Sequence, residues 1–287
     1  MPLQQLVSYF NARFEKLHHS NLHPFRVDEN SVTGIFGPIS ISSAYLAIRQ
    51  RLDNAVVTGH IAQLLAAPVA NEVVNAQAME LGALVTDTVT EPVNFQAIIN
   101  IDRLCRTVHM LNYLPLSHLG GVLFLDVDPR HILSVKQDHG VYFEEIIIKC
   151  GLTTKNIAIS LTIDNFYALH HRQLLAGLSN YRQRGYQIAL NIGQFYNAKG
   201  LVELVTALSP DYIRVSAPRY EDNTVEAEVF KSTSFKALES LFALATGRTI
   251  LQAVDKQEQA LIADSLACDL VQGLYYDKLA TDYLRCL

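Results

Sequence analysis

Cysteine and tryptophan are scarce in this sequence, and neither sign of charge dominates. Tryptophan is absent, and only four of the 287 residues are cysteines: Cys105, Cys150, Cys268 and Cys286. They lie far apart and form no CxxC pair, which argues against a disulfide scaffold and favours buried or free thiols in a reducing compartment. The 23 basic and 28 acidic residues give a formal net charge of −5. This balance argues against nucleic-acid binding, which needs a basic surface.

The sequence also lacks the long apolar runs of membrane proteins. No stretch is long and uncharged enough for a transmembrane helix, and the first residues do not have the basic and then apolar pattern of a signal peptide. Hydrophobic residues make up 49% of the chain and the mean hydropathy is +0.14, so a full core can form. We expect a soluble, cytoplasmic protein that makes no membrane contact.

The first forty residues differ from the rest of the chain. Leucine, valine and phenylalanine recur at helical spacing from Leu3 to Leu17, which predicts an amphipathic helix with one apolar stripe. A polar, histidine-rich run follows at 18–24, and residues 28–37 contain turn formers. We therefore predict an N-terminal helix with its connecting segment over residues 1–40, and one domain over residues 41–287. The apolar stripe can pack on that domain or form a partner or dimer surface.

From Gly120 onward, short apolar runs alternate with helical patterns. Six runs are suited to buried parallel strands: Val122–Val127, Ile157–Ile163, Gln187–Ile192, Tyr212–Val215, Thr249–Val254 and Leu270–Val271. Five segments have helical patterns: Phe143–Cys150, Tyr167–Arg184, Ala198–Leu208, Phe235–Ala245 and Lys256–Ala267. Glycines at the ends of three of them, Gly151, Gly185 and Gly247, are expected to be left-handed helix caps.

This alternation predicts an α/β protein with a parallel sheet and helices outside it. A closed (βα) barrel and an open, doubly wound sheet fit the periodicity equally well.

In both architectures the functional face lies at the carboxyl ends of the strands. The residues there are polar, but few are acidic: Asp126, Asp128, Ser160, Asp164, Asn191, Arg214, Ser216, Gln252, Asp255 and Gln272. A two-metal hydrolase needs several carboxylates around cations roughly 3.5–4 Å apart. Only Asp126 and Asp255 are placed to point inward, and Asp255, with Glu258 three residues on, also fits a helix N-cap. We therefore predict no metal site and no catalytic residue.

Asp126 and Asp128 also fit a second interpretation. An apolar strand that ends in Asp-x-Asp resembles the nucleophile motif of haloacid-dehalogenase-like phosphatases, in which both acids point to one face. No later acidic pair completes such a site, because the candidate strand ends in Asn191-Ile192. The sequence has no Gly-x-Ser-x-Gly elbow, no P-loop and no Gly-x-Gly-x-x-Gly. The clustered histidines lack the spacing of zinc ligands: His18, His19, His23, His170 and His171.

Two segments near the C-terminal end have a recognisable pattern. Residues 249–259, TILQAVDKQEQ, are similar to the Ala-Glu-Gly-Val-Glu-Thr strand and helix of EAL domains, the cyclic di-GMP phosphodiesterase family. Residues 267–278, ACDLVQGLYYDK, resemble the family's closing Gln-Gly-Tyr segment. The resemblance is faint elsewhere but extends from about Ile41 to the C-terminus, with residues 59–65, GHIAQLL, where the signature Gly-Tyr-Glu-Ala-Leu-Leu-Arg is expected. It implies an EAL-like (βα)8 TIM-type barrel.

The resemblance also implies that the family's metal chemistry is lost. This chain has Ile61 for the signature glutamate, Leu65 for the phosphate-contacting arginine, Asp126 for the metal-site asparagine, Ser160 for the next strand's glutamate, Asn191 and Ile192 for the aspartate pair, Arg214 for the catalytic lysine and Gln252 for the late glutamate. Only the Gln272-Gly273 pair is retained, and Asp255 completes the vestigial pocket. Isoleucine, serine and glutamine provide no anionic oxygens for two divalent cations, so no metal-bound water with a pKa of ~7 forms.

We therefore expect a catalytically inactive EAL-like domain without a cofactor. It would act as a bacterial signalling regulator through contacts with a protein partner, and family analogy also allows a homodimer. Leu65 removes a phosphate contact worth on the order of 1.5–3 kcal/mol, so we expect no cyclic di-GMP binding at physiological levels. The alternatives are a receptor that binds the dinucleotide without hydrolysing it, and a residual metal-dependent phosphodiesterase or phosphatase centred on Asp126.

Overall fold

The computed structural model describes residues 2–18, 23–29, 31–69, 95–134, 140–163, 170–192, 199–218, 235–236 and 238–285. The helices are α1 (Leu3–His18), α2 (Phe95–Asn112), α3 (Pro129–Ser134), α4 (Val141–Lys149), α5 (His171–Gln183), α6 (Lys199–Leu208), α7 (Gln257–Ser265) and α8 (Leu274–Arg285). The strands are β1 (Phe25–Asp28), β2 (Ser31–Phe36), β3 (Ile39–Gln50), β4 (Val57–Pro68), β5 (Val122–Val127), β6 (Ile157–Ile163), β7 (Gln187–Ile192), β8 (Tyr212–Ser216), β9 (Arg248–Gln252) and β10 (Leu270–Val271).

Strands β3 to β10 close into an eight-stranded barrel. The hydrogen-bonded order is β3-β10-β9-β8-β7-β6-β5-β4, and a further β3–β4 pairing closes the ring. The pairings from β4 to β10 are parallel, whereas β3 is antiparallel to β10. The predicted TIM-type barrel is thus confirmed with one reversed strand, and the open-sheet alternative is wrong.

An apolar layer fills the barrel interior. The side chains of this layer come from all eight strands: Ile48, Ile61, Phe124, Ala158, Ala189, Tyr212, Ile250 and Leu270. Phe124 and Tyr212 meet edge to face with ring centroids 4.8 Å apart. Alanine at two positions offsets the volume of these two rings, as expected for a close-packed core.

Two aspartates tie neighbouring strands together where the strands begin. The Asp211 carboxylate, one residue before β8, accepts a 2.8 Å hydrogen bond from the backbone N–H of Ile188 in β7. Asp269, one residue before β10, accepts in the same way from the backbone N–H of Thr249 in β9, at 2.7 Å. A side-chain oxygen thus satisfies a strand-end donor that the ladder leaves open.

Glycine is required for different reasons at the three predicted helix caps. Gly151 and Gly185 have φ values of 71° and 85°, as predicted for left-handed caps. The φ of Gly247 is not positive, so that prediction is wrong. A Cβ atom at Gly247 would lie 2.3 Å from the carbonyl oxygens of Pro210 and Asp211, so close backbone approach requires glycine there.

The described chain forms two compact units. The first comprises residues 1–45, 62–119 and 140–153, and the second comprises residues 46–61, 120–139 and 154–287. The barrel layer belongs to the second unit. The predicted boundary at residue 40 falls within β3, and the predicted connecting segment contains β1 and β2. β1 pairs with β2, and β2 pairs with β3, both in antiparallel fashion. The division into two domains at this boundary stays a prediction.

Two asparagine side chains complete the small sheet of the first unit. Asn11 of α1 forms a pair of hydrogen bonds with the backbone of Phe25 in the edge strand β1, at 2.8 and 2.9 Å. Asn112, at the end of α2, bonds the N–H and C=O of Val32 in β2 in the same way, at 2.6 and 2.7 Å. Each primary amide supplies the donor and acceptor that a neighbouring strand would otherwise provide.

The apolar stripe of α1 is buried inside the first unit. Leu6, Val7 and Phe10 are almost fully buried. On the same helix Arg13 forms an ion pair with Glu145 of α4 at 2.5 Å. The apolar stripe is therefore used in packing within this unit.

None of the helices in the described ranges combines the length and the apolar character that crossing a bilayer requires.

Candidate functional site

A polar layer lies above the apolar layer at the carboxyl ends of the barrel strands. Strand register places Asp126 opposite Ser160, Asn191 opposite Arg214, and Ser216 opposite Gln252. Side chains alternate along a strand, so every second residue points to the same face. Five of these residues lie two positions after a residue of the apolar layer, and Ser216 lies four positions after Tyr212. All six therefore point to the barrel interior, as the apolar layer does. The layer contains six of the nine residues predicted for the vestigial pocket: Asp126, Ser160, Asn191, Arg214, Gln252 and Gln272.

Arg214 is the centre of this layer. It is 3% exposed, and its guanidinium carbon lies 5.9 Å from the ring centroid of Phe124. Its Nη1 donates to Asp126 Oδ1 at 3.0 Å and also to Ser160 Oγ. Its Nε and Nη2 both donate to Gln252 Oε1, at 3.1 and 3.0 Å. The guanidinium therefore joins three strands, β5, β6 and β9, to β8.

Gln252 extends the hydrogen bonds to the next strands. Its Nε2 donates to Asn191 Oδ1 at 2.9 Å and to Ser216 Oγ at 3.1 Å. Asn191 in turn donates to Thr162 Oγ1 at 3.0 Å. Sequence reasoning overlooked Thr162, although it lies two residues after Ser160 and so on the same face of β6.

Gln272 holds the loop that follows β9. Its Oε1 accepts from the backbone N–H of Ala253 at 3.2 Å. Ala253 has a φ of 58°, a conformation that non-glycine residues rarely adopt. A Cβ at Gly273 would lie 2.2 Å from the carbonyl oxygen of Val254, so glycine is sterically required. Packing therefore accounts for the retained Gln272-Gly273 pair.

Asp255 has a different role from the predicted one. Its Oδ1 accepts a 3.1 Å hydrogen bond from the backbone N–H of Leu274, the first residue of α8. At the start of α7 it is Gln259 Oε1 that accepts from the backbone N–H groups of Asp255 and Lys256, at 2.8 and 3.1 Å. The predicted capping box of Asp255 and Glu258 is therefore wrong, because the helix begins one residue later, with Lys256 as its N-cap and Gln259 as its third residue.

The two remaining pocket residues lie on β4. Ile61 is buried in the apolar layer, and no anionic group stands at that position. Leu65 lies on the part of β4 that belongs to the first unit, and it is 46% exposed.

Asp128 is bound to the neighbouring helix. Its carboxylate accepts a 2.8 Å hydrogen bond from the backbone N–H of Arg130 and forms a forked ion pair with the Arg130 guanidinium, with the closest N–O distance at 2.6 Å. Asp126 and Asp128 are thus paired with two different arginines. The phosphatase interpretation needs both acids for one reacting centre, and this geometry does not favour it.

The polar layer does not fit a pair of divalent cations. Asp126 supplies one negative charge, and the Arg214 guanidinium already balances it at 3.0 Å. The neutral oxygens of Ser160, Asn191 and Gln252 accept hydrogen bonds from protein donors. Over the described ranges, no three His, Cys, Asp or Glu residues are grouped closely enough to hold a metal ion. Two divalent cations would bring four positive charges to a cluster whose net charge is zero.

Three cysteines lie in the described part of the chain, and all three are free: Cys105, Cys150 and Cys268. Burial raises the pKa of the Cys150 and Cys268 thiols to about 12. Both are therefore neutral thiols at physiological pH, as expected for structural cysteines. Cys286, His19 and Asp164 lie outside the described residues.

Comparison with known proteins gives a match in structure but not in sequence. No family model matches the chain, and no curated protein does. The Bacillus subtilis YkuI protein, solved with its EAL domain in complex with substrate c-di-GMP and calcium, is 18% identical with a TM-score of 0.60. The match covers 82% of this chain and 54% of that one.

Two further solved structures share the architecture. The Xanthomonas citri FimX EAL domain in complex with c-di-GMP is 13% identical with a TM-score of 0.58, over 82% of this chain and 86% of that one. The EAL enzyme Bd1971, in a form with cAMP and cyclic di-GMP bound, is 17% identical with a TM-score of 0.56, over 82% of this chain and 61% of that one. This chain thus spans less than two thirds of the YkuI and Bd1971 chains. The closed barrel and these matches show that the chain has the fold of EAL domains.

Proposed function

We propose that this chain is a catalytically inactive protein of the EAL fold that regulates bacterial cyclic di-GMP signalling through protein contacts. The observation that supports this proposal is the position of Arg214. Its buried guanidinium is bonded to Asp126, Ser160 and Gln252 at the barrel mouth, where a metal-dependent phosphodiesterase needs cations and anionic ligands.

Electrostatics argues against turnover. A hydrolase of this kind uses bound cations to lower the pKa of water to about 7 and so generate hydroxide. Among the residues that the structure describes, the polar layer at the mouth has one carboxylate, Asp126, and the Arg214 guanidinium neutralises it. Arg214 cannot replace the metal-bound hydroxide as a base, because an arginine side chain stays protonated in proteins.

The same contacts argue against a strong dinucleotide site. The solved EAL structures described above contain cyclic di-GMP, so a receptor function is the natural competing hypothesis. Here the Arg214 donors are used within the protein, and Arg214 is 3% exposed. Leu65 offers no charge at the position where the resemblance expects an arginine. We therefore propose that cyclic di-GMP does not bind at physiological levels.

Residual phosphodiesterase activity would depend on Asp126. Its Oδ1 is held by Arg214, and the neighbouring Asp128 is held by Arg130. Within the described ranges, neither acid belongs to a group of His, Cys, Asp or Glu residues that could complete a metal site. The free thiols agree with the expected cytoplasmic location, which is part of this proposal.

Product analysis tests the absence of turnover. The purified chain is incubated with cyclic di-GMP and Mg²⁺ or Mn²⁺, and the linear dinucleotide is separated by chromatography, with an active EAL phosphodiesterase as positive control. We expect no linear product above the level of a protein-free sample. Product formation that Asp126→Asn abolishes would overturn the proposal.

Titration calorimetry tests the receptor alternative. Cyclic di-GMP is titrated into micromolar protein with and without Mg²⁺, and we expect no binding heat under either condition. A sub-micromolar Kd would replace the proposed function by that of a non-hydrolysing receptor.

A further inference from the structure

A loop of the second unit, at the amino ends of the parallel barrel strands, presents exposed apolar side chains. Leu52, between β3 and β4, is 85% exposed, which makes it the most exposed large apolar side chain of the described residues. Val56 of the same loop and Val57, the first residue of β4, are exposed, and so is Leu261 of α7. These four residues, Leu52, Val56, Val57 and Leu261, are called the Leu52 surface.

An ion pair connects the two parts of this surface. Arg51, which precedes Leu52, binds Asp264 at 3.0 Å. Asp264 lies three residues after Leu261 and therefore on the same side of α7. Arg51 Nε also donates to the carbonyl of Cys268, just beyond α7, at 2.7 Å. The loop and the helix are thus fixed to each other.

The loop is held by its own hydrogen bonds. The backbone N–H of Gln50 donates to the Val56 carbonyl at 3.0 Å, and that of Val56 donates to the Asp53 carbonyl at 3.1 Å. Asp53 Oδ1 accepts from the N–H of Ala55 at 3.2 Å. Arg49 Nη1 donates to the Asn54 carbonyl at 3.0 Å. A leucine presented on a fixed loop loses little entropy on binding, which favours its use as an anchor.

The charges around the surface favour a basic partner. Asp53, next to Leu52 in sequence, and Glu258, three residues before Leu261, are exposed. The charges of Arg49 and Arg51 are balanced by Asp277 and Asp264. These six charged residues carry two positive and four negative charges, so the rim is acidic. A second copy of the surface would bring acidic rims together, and an anionic lipid or nucleic acid would be repelled.

We infer that the Leu52 surface docks a partner protein whose contact face is an apolar pocket rimmed by lysine or arginine. This inference rests on the proposed function and names the surface through which the regulator acts. The anchor is Leu52, and the acidic rim selects the orientation of the partner.

Site-specific crosslinking tests the location. The full chain carries the photoreactive residue p-benzoylphenylalanine at position 52 or, as control, at position 148, where Ile148 of the first unit is 72% exposed. We expect position 52 to crosslink one protein in a bacterial lysate, through residues of an apolar pocket with a basic rim. A partner that crosslinks from position 148 alone, or through an acidic face, would contradict the inference.

Calorimetry with the purified partner then tests the energetics. Leu52→Asp is expected to weaken binding about tenfold or more, as for the loss of a central anchor. Ile148→Asp is expected to change the Kd about twofold or less. Asp53→Lys combined with Glu258→Lys should also weaken binding and reverse its salt dependence. Equal affinities of the wild type and Leu52→Asp would overturn the inference.

Two measurements separate the inference from the proposed function. Light scattering that shows a dimer for the wild type and a monomer for Leu52→Asp would make a second copy the occupant and reject the basic partner. Turnover of cyclic di-GMP would reject the proposed function itself. We expect the circular dichroism spectrum of Leu52→Asp to match that of the wild type, because the side chain is so exposed.

Discussion

Arg214 places a fixed positive charge inside a barrel that otherwise has an apolar core. The cost of burying it is offset by hydrogen bonds to one carboxylate and to neutral oxygens of Ser160 and Gln252. Removing the guanidinium would leave the oxygens of Asp126, Ser160 and Gln252 without the donor that satisfies them. The stability of the mouth therefore depends on this one side chain.

Replacing Arg214 by methionine is expected to destabilise the protein by about 1–3 kcal/mol, because Gln252 and Ser160 lose their donor while Asp126 keeps partial access to water. Urea denaturation followed by circular dichroism measures this change. Arg214→Lys retains the charge without the fork and should be less destabilising. A variant with methionine that is as stable as the wild type would show that the network contributes nothing.

Ala253 has a left-handed backbone conformation with a φ of 58°. Glycine adopts this conformation without steric cost, so Ala253→Gly should stabilise the protein by about 0.5–1 kcal/mol even though glycine also gains entropy in the unfolded chain. The matched control is the buried Ala217, which has no positive φ. Ala217→Gly should destabilise by about 0.5–1 kcal/mol. Equal effects of the two changes in thermal unfolding would contradict the strain argument.

Helix α1 is joined to the edge strand β1 by a side chain that imitates a strand. Asn11 donates to and accepts from the backbone of Phe25. An edge strand exposes unpaired donors and acceptors, and proteins protect such edges by covering them. The Asn11 side chain therefore covers backbone groups of the edge strand β1 at Phe25.

Asn11→Asp preserves the size and the acceptor but removes the donor, and it places a negative charge beside the Phe25 carbonyl. We expect a loss of about 1–3 kcal/mol in unfolding free energy. The control is Asn180→Asp on α5, where the amide makes a long, exposed bond, with an expected change of about 0.5 kcal/mol or less. Chemical denaturation measures both variants, and similar losses would reject the role of Asn11.

The molecule as a whole should lose stability in acid through His60. Burial, together with the nearby Arg49 charge, lowers the pKa of this histidine in the folded state. As the pH falls, the unfolded chain therefore binds the proton before the folded protein does. The contribution of neutral His60 to the unfolding free energy is fully present above about pH 6.5 and is lost as the pH falls below that value. We expect His60→Gln to reduce the decline in unfolding free energy between pH 8 and pH 5.

His118→Gln is the matched substitution, since it replaces a histidine whose side chain is exposed. Its unfolding free energy at pH 8 should change by about 0.5 kcal/mol or less. A profile that is the same for the wild type and His60→Gln would show that burial of His60 does not contribute to it.

The folded molecule should also protect two thiols. With a pKa of about 12 for Cys150 and Cys268, the thiolate fraction at neutral pH falls roughly a thousandfold below that of an ordinary cysteine. A variant with Cys105→Ser and Cys286→Ser isolates these two thiols for titration with a disulfide reagent. We expect slow reaction in the native protein and rapid reaction in urea. Rapid reaction of the native variant would contradict their burial.

Much of the barrel could be predicted because its strands are buried on both faces. β5, β6, β7 and β10 have the predicted bounds, and β8 and β9 differ by at most two residues. The first four strands were not predicted. β3 contains serine, and β4 contains glycine, histidine and glutamine, among the apolar residues, and both strands cross from one compact unit into the other, so no short apolar run marks them.

The candidate site was predicted in its members but not in its contacts. The resemblance identified Asp126, Ser160, Asn191, Arg214 and Gln252, and all five join one network. Thr162 was overlooked, and Asp255 was assigned to the wrong helix. These two contacts join residues that are 29 and 19 positions apart in the chain, so local sequence spacing does not predict them.

The residues alone determined the alternation of strands and helices and the shortage of acids at the strand ends, because both depend on local periodicity and side-chain chemistry. Only the tertiary structure decided which groups meet. Asp126 and Arg214 are 88 residues apart, and barrel closure and strand register bring them within 3.0 Å. The guanidinium is therefore partnered by a carboxylate from another strand, a contact set by long-range pairing that no local pattern encodes.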